Sequence, residues 1–156
     1  MRIGDFDTAL TNLPLTFSLT PPARIRIDRP LAQQCADGRL VVPRGFVCDG
    51  ASIPRVARWY QDPFDPRVLR AAICHDLRCS RFPLNGQDWH IGTWRMAHEM
   101  FAEGCRAGGL TGWRFQAVTQ AVRWFGPRWP DTQVVPVDEA AGLLAHFPFD
   151  WHPTDR

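Results

Sequence analysis

The sequence predicts an α+β domain: an N-terminal antiparallel sheet of short strands, packed with three to four helices. Three observations carry this reading. Before residue 50, apolar and polar residues alternate with period two between clusters of turn residues. After residue 65, apolar residues recur at helical spacing between recognisable caps. The 156 residues, 45% of them hydrophobic, suffice for one core and not comfortably for two. Residues 1–137 are expected to form that domain, and residues 138–156 a C-terminal helix and aromatic tail that docks on it or on a partner.

In the strand region, Thr16-Phe-Ser-Leu19 and Arg24-Ile-Arg-Ile-Asp28 alternate, and Thr20-Pro-Pro22 turns the chain between them. Asp37-Gly38 separates strand-like runs at 31–35 and 39–42, a hairpin signal, and Pro43 ends the second run because it has no N–H for a ladder. The loop Gly45-Phe-Val-Cys-Asp-Gly-Ala-Ser-Ile-Pro54 follows. Its Asp49-Gly50 pair predicts a turn that holds the Asp49 carboxylate in a defined direction. Ser52 is placed to cap an amphipathic run over 53–60 with Pro54 in its first turn, and no Gly-x-Ser-x-Gly elbow surrounds it, so capping is favoured over nucleophilic attack.

Asp65 and Pro66 suit the N-cap and first position of a helix running to about residue 80. Val68, Leu69, Ala72, Ile73 and Leu77 make it apolar on most sides, so it should be a central helix, and it carries His75 and Asp76. Residues 80–88 read as a loop. A third helix is expected from residue 89 or 92 to 103, and a fourth from 111 to 126, with Phe115, Val118, Val122 and Phe125 on a core face flanked by Trp113 and Trp124. A short helix over 138–146 is expected to be capped by Asp138.

Composition excludes several classes. The net charge of +2 and the even spread of 18 arginines, with no lysine, leave no basic footprint for nucleic acid. Five cysteines, an odd number falling in structured segments, fit reduced thiols better than a disulfide scaffold. The first residues lack the basic and apolar regions of a signal peptide, and no window approaches the ~18 apolar residues of a membrane span.

Adjacent helical residues point about 100° apart, so His75 and Asp76 should serve different neighbours. In a catalytic arrangement His75 is a general base, Asp49 and Asp76 ligate a divalent metal, and Ser52 is a further candidate group. In a structural arrangement Asp76 accepts hydrogen bonds from loop amides or arginine while His75 bonds a backbone carbonyl. A paired His-Asp phosphohydrolase needs an upstream histidine, and His75 is the first in the chain. A secreted phospholipase needs many disulfides. His75 and Cys79 lie at i, i+4, and Cys48 could join them around zinc, but no Cys-x-x-Cys pair or fourth ligand accompanies them. His90 and His98 flank the third helix and could line the same cleft.

The loop ending at Pro54, followed by Ala71-Ala-Ile-Cys-His-Asp-Leu77 and Ala121-Val-Arg-Trp-Phe-Gly126, resembles a domain-of-unknown-function family of tailed phages, prophages and related bacterial elements. That family's pattern runs Gly-Phe-x-Thr-Asp-x-Ala-Ser-x-Pro, then Ala-Ala-x-x-His-Asp-x-Leu-Tyr, then Ala-Asp-x-x-Phe and Val-Arg-x-Phe-Gly. Asp49, Ser52, Pro54, His75 and Asp76 match it. Cys48 replaces its Thr, Arg78 and Cys79 replace its Leu-Tyr, and Thr93 stands where it has Asp, with Asp88 a possible substitute. The resemblance implies a phage or prophage origin, a place in the host cytoplasm or the virion, and other phage or virion proteins as partners. An accessory role in tail or particle assembly is the first expectation. A metal-assisted hydrolase acting on the cell envelope is the second.

Overall fold

A computed structural model describes residues 2–6, 15–18, 24–48 and 65–147. Asp49, Ser52, the run over 53–60 and the tail beyond Phe147 lie outside the described residues. The expected α+β architecture is present. Strand β1 (Leu15–Ser18) pairs antiparallel with β2 (Arg24–Ile27), which pairs antiparallel with β5 (Val47–Cys48). Period-two alternation sets the faces, since Ile25 and Ile27 enter the core while Arg26 meets water.

Strands β3 (Leu31–Cys35) and β4 (Gly38–Val42) form the expected hairpin, but Cys35 pairs with Gly38, so the two turn residues are Ala36 and Asp37. Gly38, at φ 132°, opens β4 instead of completing the turn. The shift of one residue places Asp37 at the turn, where its carboxylate reaches a helix.

That helix is α1 (Pro66–Cys79). Asp65 caps it, its Oδ1 accepting from the Arg67 amide at 2.9 Å, and Pro66 fills the first helical position, where no N–H is needed. Nearly every side is buried, from Val68 to Leu77. Helix α2 (Trp94–Ala107) packs along it at short range because two glycines remove side chains from the contact. A Cβ on Gly104 would lie 2.9 Å from Ala71 Cβ, and one on Gly108 would collide with the Arg67 carbonyl oxygen.

The stretch expected to be a loop is a second hairpin, β6 (Phe82–Leu84) with β7 (Gln87–Ile91). Its two-residue turn is Asn85-Gly86, with φ of 54° and 78°, the conformation that Asn-Gly favours between strands. Trp89 therefore belongs to β7, and the third helix starts at Trp94, after both of its expected positions. A parallel strand, β8 (Val134–Val135), pairs with β7 through His90↔Val134 and Ile91↔Val135.

Between them lies α3 (Gly112–Phe125). It is the expected fourth helix, but it is not fully a core helix. Val118 and Thr119 are buried and Phe115 and Val122 half-buried, whereas Trp113, Trp124 and Phe125 are 62%, 68% and 68% exposed. Phe125 shares Val118's stripe two turns on, but at the helix end no described element covers it. After α3, a 3-10 turn (Val137–Glu139) leads into α4 (Ala140–Leu144), so Asp138 sits inside the turn and does not cap the helix. Phe147 packs edge-on against Phe82 at 5.0 Å, so the first tail aromatic docks back on the domain. All five cysteines are free thiols. Among the described residues no helix is long and apolar enough to cross a membrane.

Candidate functional site

His75 lies on α1, one turn before its C-terminus, on the side that faces α2. Its ring centroid is 5.3 Å from that of His98 and 5.4 Å from that of Phe101, both on α2, and Trp94 closes on His98 at 5.5 Å. One turn further along α1, Cys79 Sγ sits 3.5 Å from His75 Nε2 and 3.6 Å from Nδ1. The helical spacing that suggested a zinc pair therefore brings thiol and imidazole into contact.

Burial decides their protonation. His75 is 8% exposed, and loss of water, aided by the nearby His98 and Arg78, pushes its pKa down to about 3. It is a neutral imidazole at neutral pH. Its Nδ1 lies 4.0 Å from Asp76 Oδ1, but a neutral ring makes no ion pair there. Asp76 is half-buried and takes part in at least one further interaction. Burial also raises the Cys79 pKa well above the ordinary thiol value, with Asp76 adding to the effect, so the contact joins a thiol to an imidazole rather than a thiolate to an imidazolium.

His98 is 3% exposed, and neither ring nitrogen has a hydrogen-bond partner. Burial lowers its pKa as well. Gly126 makes room for it, since a Cβ there would lie 2.6 Å from His98 Nε2.

Next to this centre lies a feature that the sequence pattern did not flag. Arg78 is fully buried, and it forms a two-bond pair with Asp37: Nη2 donates to Oδ1 at 2.6 Å and Nη1 to Oδ2 at 2.9 Å. Its Nε has no partner. Gly92 allows the guanidinium to lie there, because a Cβ would come 2.7 Å from Nη1, and its φ of 71° suits glycine. The signal was present as an arginine one residue past Leu77 in an apolar helix, with an aspartate in an upstream turn. No periodicity argument could pair them.

Thr93, where the resembling pattern has Asp, is the N-cap of α2, and its Oγ1 accepts from the Met96 amide at 3.3 Å. Asp and Thr are both favoured N-caps, so the replacement keeps the cap. Asp88, the possible substitute, lies on β7 in a long 3.7 Å pair with Arg81. His90 and His98 belong to different groupings: His98 meets His75, whereas His90 stacks on Trp129. Among the described residues no group of three or more His, Cys, Asp or Glu side chains is placed to hold a metal.

Fold and site together define a small α+β domain built on two closely packed helices with a neutral imidazole centre between them. The chain belongs to the protein family of unknown function DUF1353, whose profile matches residues 25–122. It is similar to two proteins of Sinorhizobium fredii. It shares 36% identity over 97 residues with uncharacterized protein y4jT, covering 60% of this chain and 26% of that protein. With uncharacterized protein y4iH it shares 35% identity over 82 residues, covering 52% of this chain and 31% of that protein. The matched region thus spans about a quarter to a third of the length of these relatives. No solved structure matches the chain.

Proposed function

We propose that this domain is a phage- or prophage-encoded accessory protein that associates with virion proteins in tail or particle assembly, and that its His75-Asp76 centre is structural. The observation that carries the second half is the state of His75: an imidazole 8% exposed, in ring contact with His98 and Phe101, with its pKa lowered to about 3. A general base at neutral pH needs a pKa near 7 and reach to substrate. His75 has neither property, which favours the structural role over a metal-assisted hydrolase using Asp49 and Asp76 as ligands.

The assembly half is supported by α3. Trp113, Trp124 and Phe125 expose large apolar surface, and Arg114 and Arg123 accompany them on a helix with no acidic residue. Aromatic and arginine side chains are the types enriched at protein interfaces. The test pairs two measurements. The double variant Trp124→Ala, Phe125→Ala is expected to keep the melting temperature of the parent while losing co-sedimentation with particles purified from a producing host. His75→Gln is expected to lower the melting temperature. Undiminished co-sedimentation of the double variant would remove the assembly role of this face. A stoichiometric divalent metal in the purified protein, lost in an Asp49→Asn, Asp76→Asn variant, would move the assignment to the hydrolase.

A further inference from the structure

A cleft of about 310 Å³ lies beside the His75 centre, sharing Cys79 with it, between the β6–β7 hairpin and the segment that follows α3. Its walls include Cys79, Arg81, His90, Arg128, Trp129 and Gln133. We propose that this cleft binds a small polar molecule through an oxyanion group, a phosphate monoester or a carboxylate, held between Arg81 and Arg128.

The back of the cleft is rigid. His90 and Trp129 stack at 4.3 Å with their planes 9° apart. The Trp129 indole Nε1 donates to the Gly92 carbonyl at 3.0 Å, and Pro127 and Pro130 restrict the backbone on either side. His90 is 5% exposed, and its Nδ1 is buried without a hydrogen-bond partner. The stacked pair gives the cleft an aromatic floor that is already in place, with a buried polar atom in the same wall.

The rim supplies the charge. Arg81 comes from the segment joining α1 to β6, and Arg128 from the irregular segment after α3, so two distant parts of the chain deliver guanidinium groups to one cavity. Among the described residues neither group is saturated. Arg81 reaches Asp88 only at 3.7 Å, and Arg128 gives a single 3.3 Å bond to the Arg123 carbonyl while resting 5.0 Å over the Trp94 ring. A guanidinium has five donors in a fork that matches phosphate and carboxylate oxygens. Burial lowers the His90 pKa and raises that of Cys79, so both are neutral, and the rim charge rests on two arginines and Asp88. The balance is positive. The volume sits at the lower end for small-molecule sites, enough for one compact polar ligand and too small for a polymer.

The experiment follows the Trp129 indole N–H by NMR in the intact protein during titration with inorganic phosphate, ribose 5-phosphate and acetate. Saturable shifts of Trp129 are expected, and the stronger of ribose 5-phosphate and acetate identifies the natural oxyanion as phosphoryl or carboxylate. Arg81→Gln and Arg128→Gln should each weaken the binding about tenfold or more, since each removes a charge-assisted fork. Both residues are exposed, and an unchanged melting temperature confirms that the variants fold. Arg95→Gln, an exposed arginine whose 3.0 Å partner is Asp131, serves as the control and should bind as the parent does. Non-saturable shifts with all three probes would overturn the proposal. So would affinity equal to the parent in an Arg81→Gln, Arg128→Gln double variant.

Discussion

The Arg78–Asp37 pair makes the most exacting test of how this domain is held together. Arg78 is fully buried and the Asp37 side chain is 16% exposed, so the carboxylate retains some water and the guanidinium none. Asp37→Ala removes two charge-assisted hydrogen bonds, of 2.6 and 2.9 Å, and strands a buried cation. Breaking a buried pair in this way costs about 3–5 kcal/mol, and the partial exposure of Asp37 argues for the lower end, about 3 kcal/mol. For a domain of this size that is a fall in melting temperature of roughly 6–12 °C. Arg78→Leu, which restores the residue of the resembling pattern, leaves a carboxylate that can turn to water and should cost less, about 1–2 kcal/mol. The double variant should cost little more than Arg78→Leu alone, giving a coupling energy of about 2 kcal/mol or more. Urea denaturation followed by tryptophan fluorescence measures all four corners of the cycle. A coupling energy below about 0.5 kcal/mol would show that the pair is no more than a surface contact and would refute the reasoning.

Two further outcomes test the helix interface. The His75 pKa is lowered from 6.5 to about 3 on folding, so between those values the unfolded chain binds a proton that the folded chain refuses. Its contribution to stability is complete above pH 6.5 and is lost as the pH falls through that window, by up to about 1.4 kcal/mol per pH unit. His98 and His90, also lowered by burial, act with the same sign, and His75→Gln should flatten the slope of stability against pH measured by urea titration. Gly104→Ala sets two effects against each other: alanine favours the helix by about 1 kcal/mol, but its Cβ would lie 2.9 Å from Ala71 Cβ and 2.7 Å from Gln33 Nε2. Overpacking should win, for a net loss of about 1–2 kcal/mol in the same assay, and a stabilised variant would mean that the helices can separate freely.

What the sequence disclosed depended on how far apart the interacting residues lie. Asp65 and Pro66 announced the start of α1 because a cap acts within one turn, and the period of Ile25 and Ile27 marked β2 because a strand's two faces need no other knowledge. The Asn85-Gly86 hairpin was readable from the same chemistry, but the strands on either side are too short and mixed to show alternation. The parallel β7–β8 pairing left no local trace at all. At the candidate site, His75 and Asp76 were visible as polar residues in an apolar helix. The ring contact with His98, the Asp37 partner of Arg78 and the Trp129 stack on His90 are each long-range, and residue types alone do not encode them. The α3 aromatics failed for a related reason. Periodicity assigned Phe125 to a face, but it cannot say where the covering element stops.

The parallel pairing of β7 with β8 also sets an order of events during synthesis. His90 meets Val134 only after α2, α3 and the Pro127–Pro130 segment have left the ribosome, whereas the β3–β4 hairpin and the first hydrogen bonds of α1 need only neighbouring residues. The N-terminal strands and α1 can therefore collapse early, with the apolar α2-facing side of α1 waiting for its cover. Trp129 arrives only after both core helices, and the stack on His90 has to wait for it. A nascent chain arrested before Trp129 would hold both helices of the core and still lack the floor of its cleft.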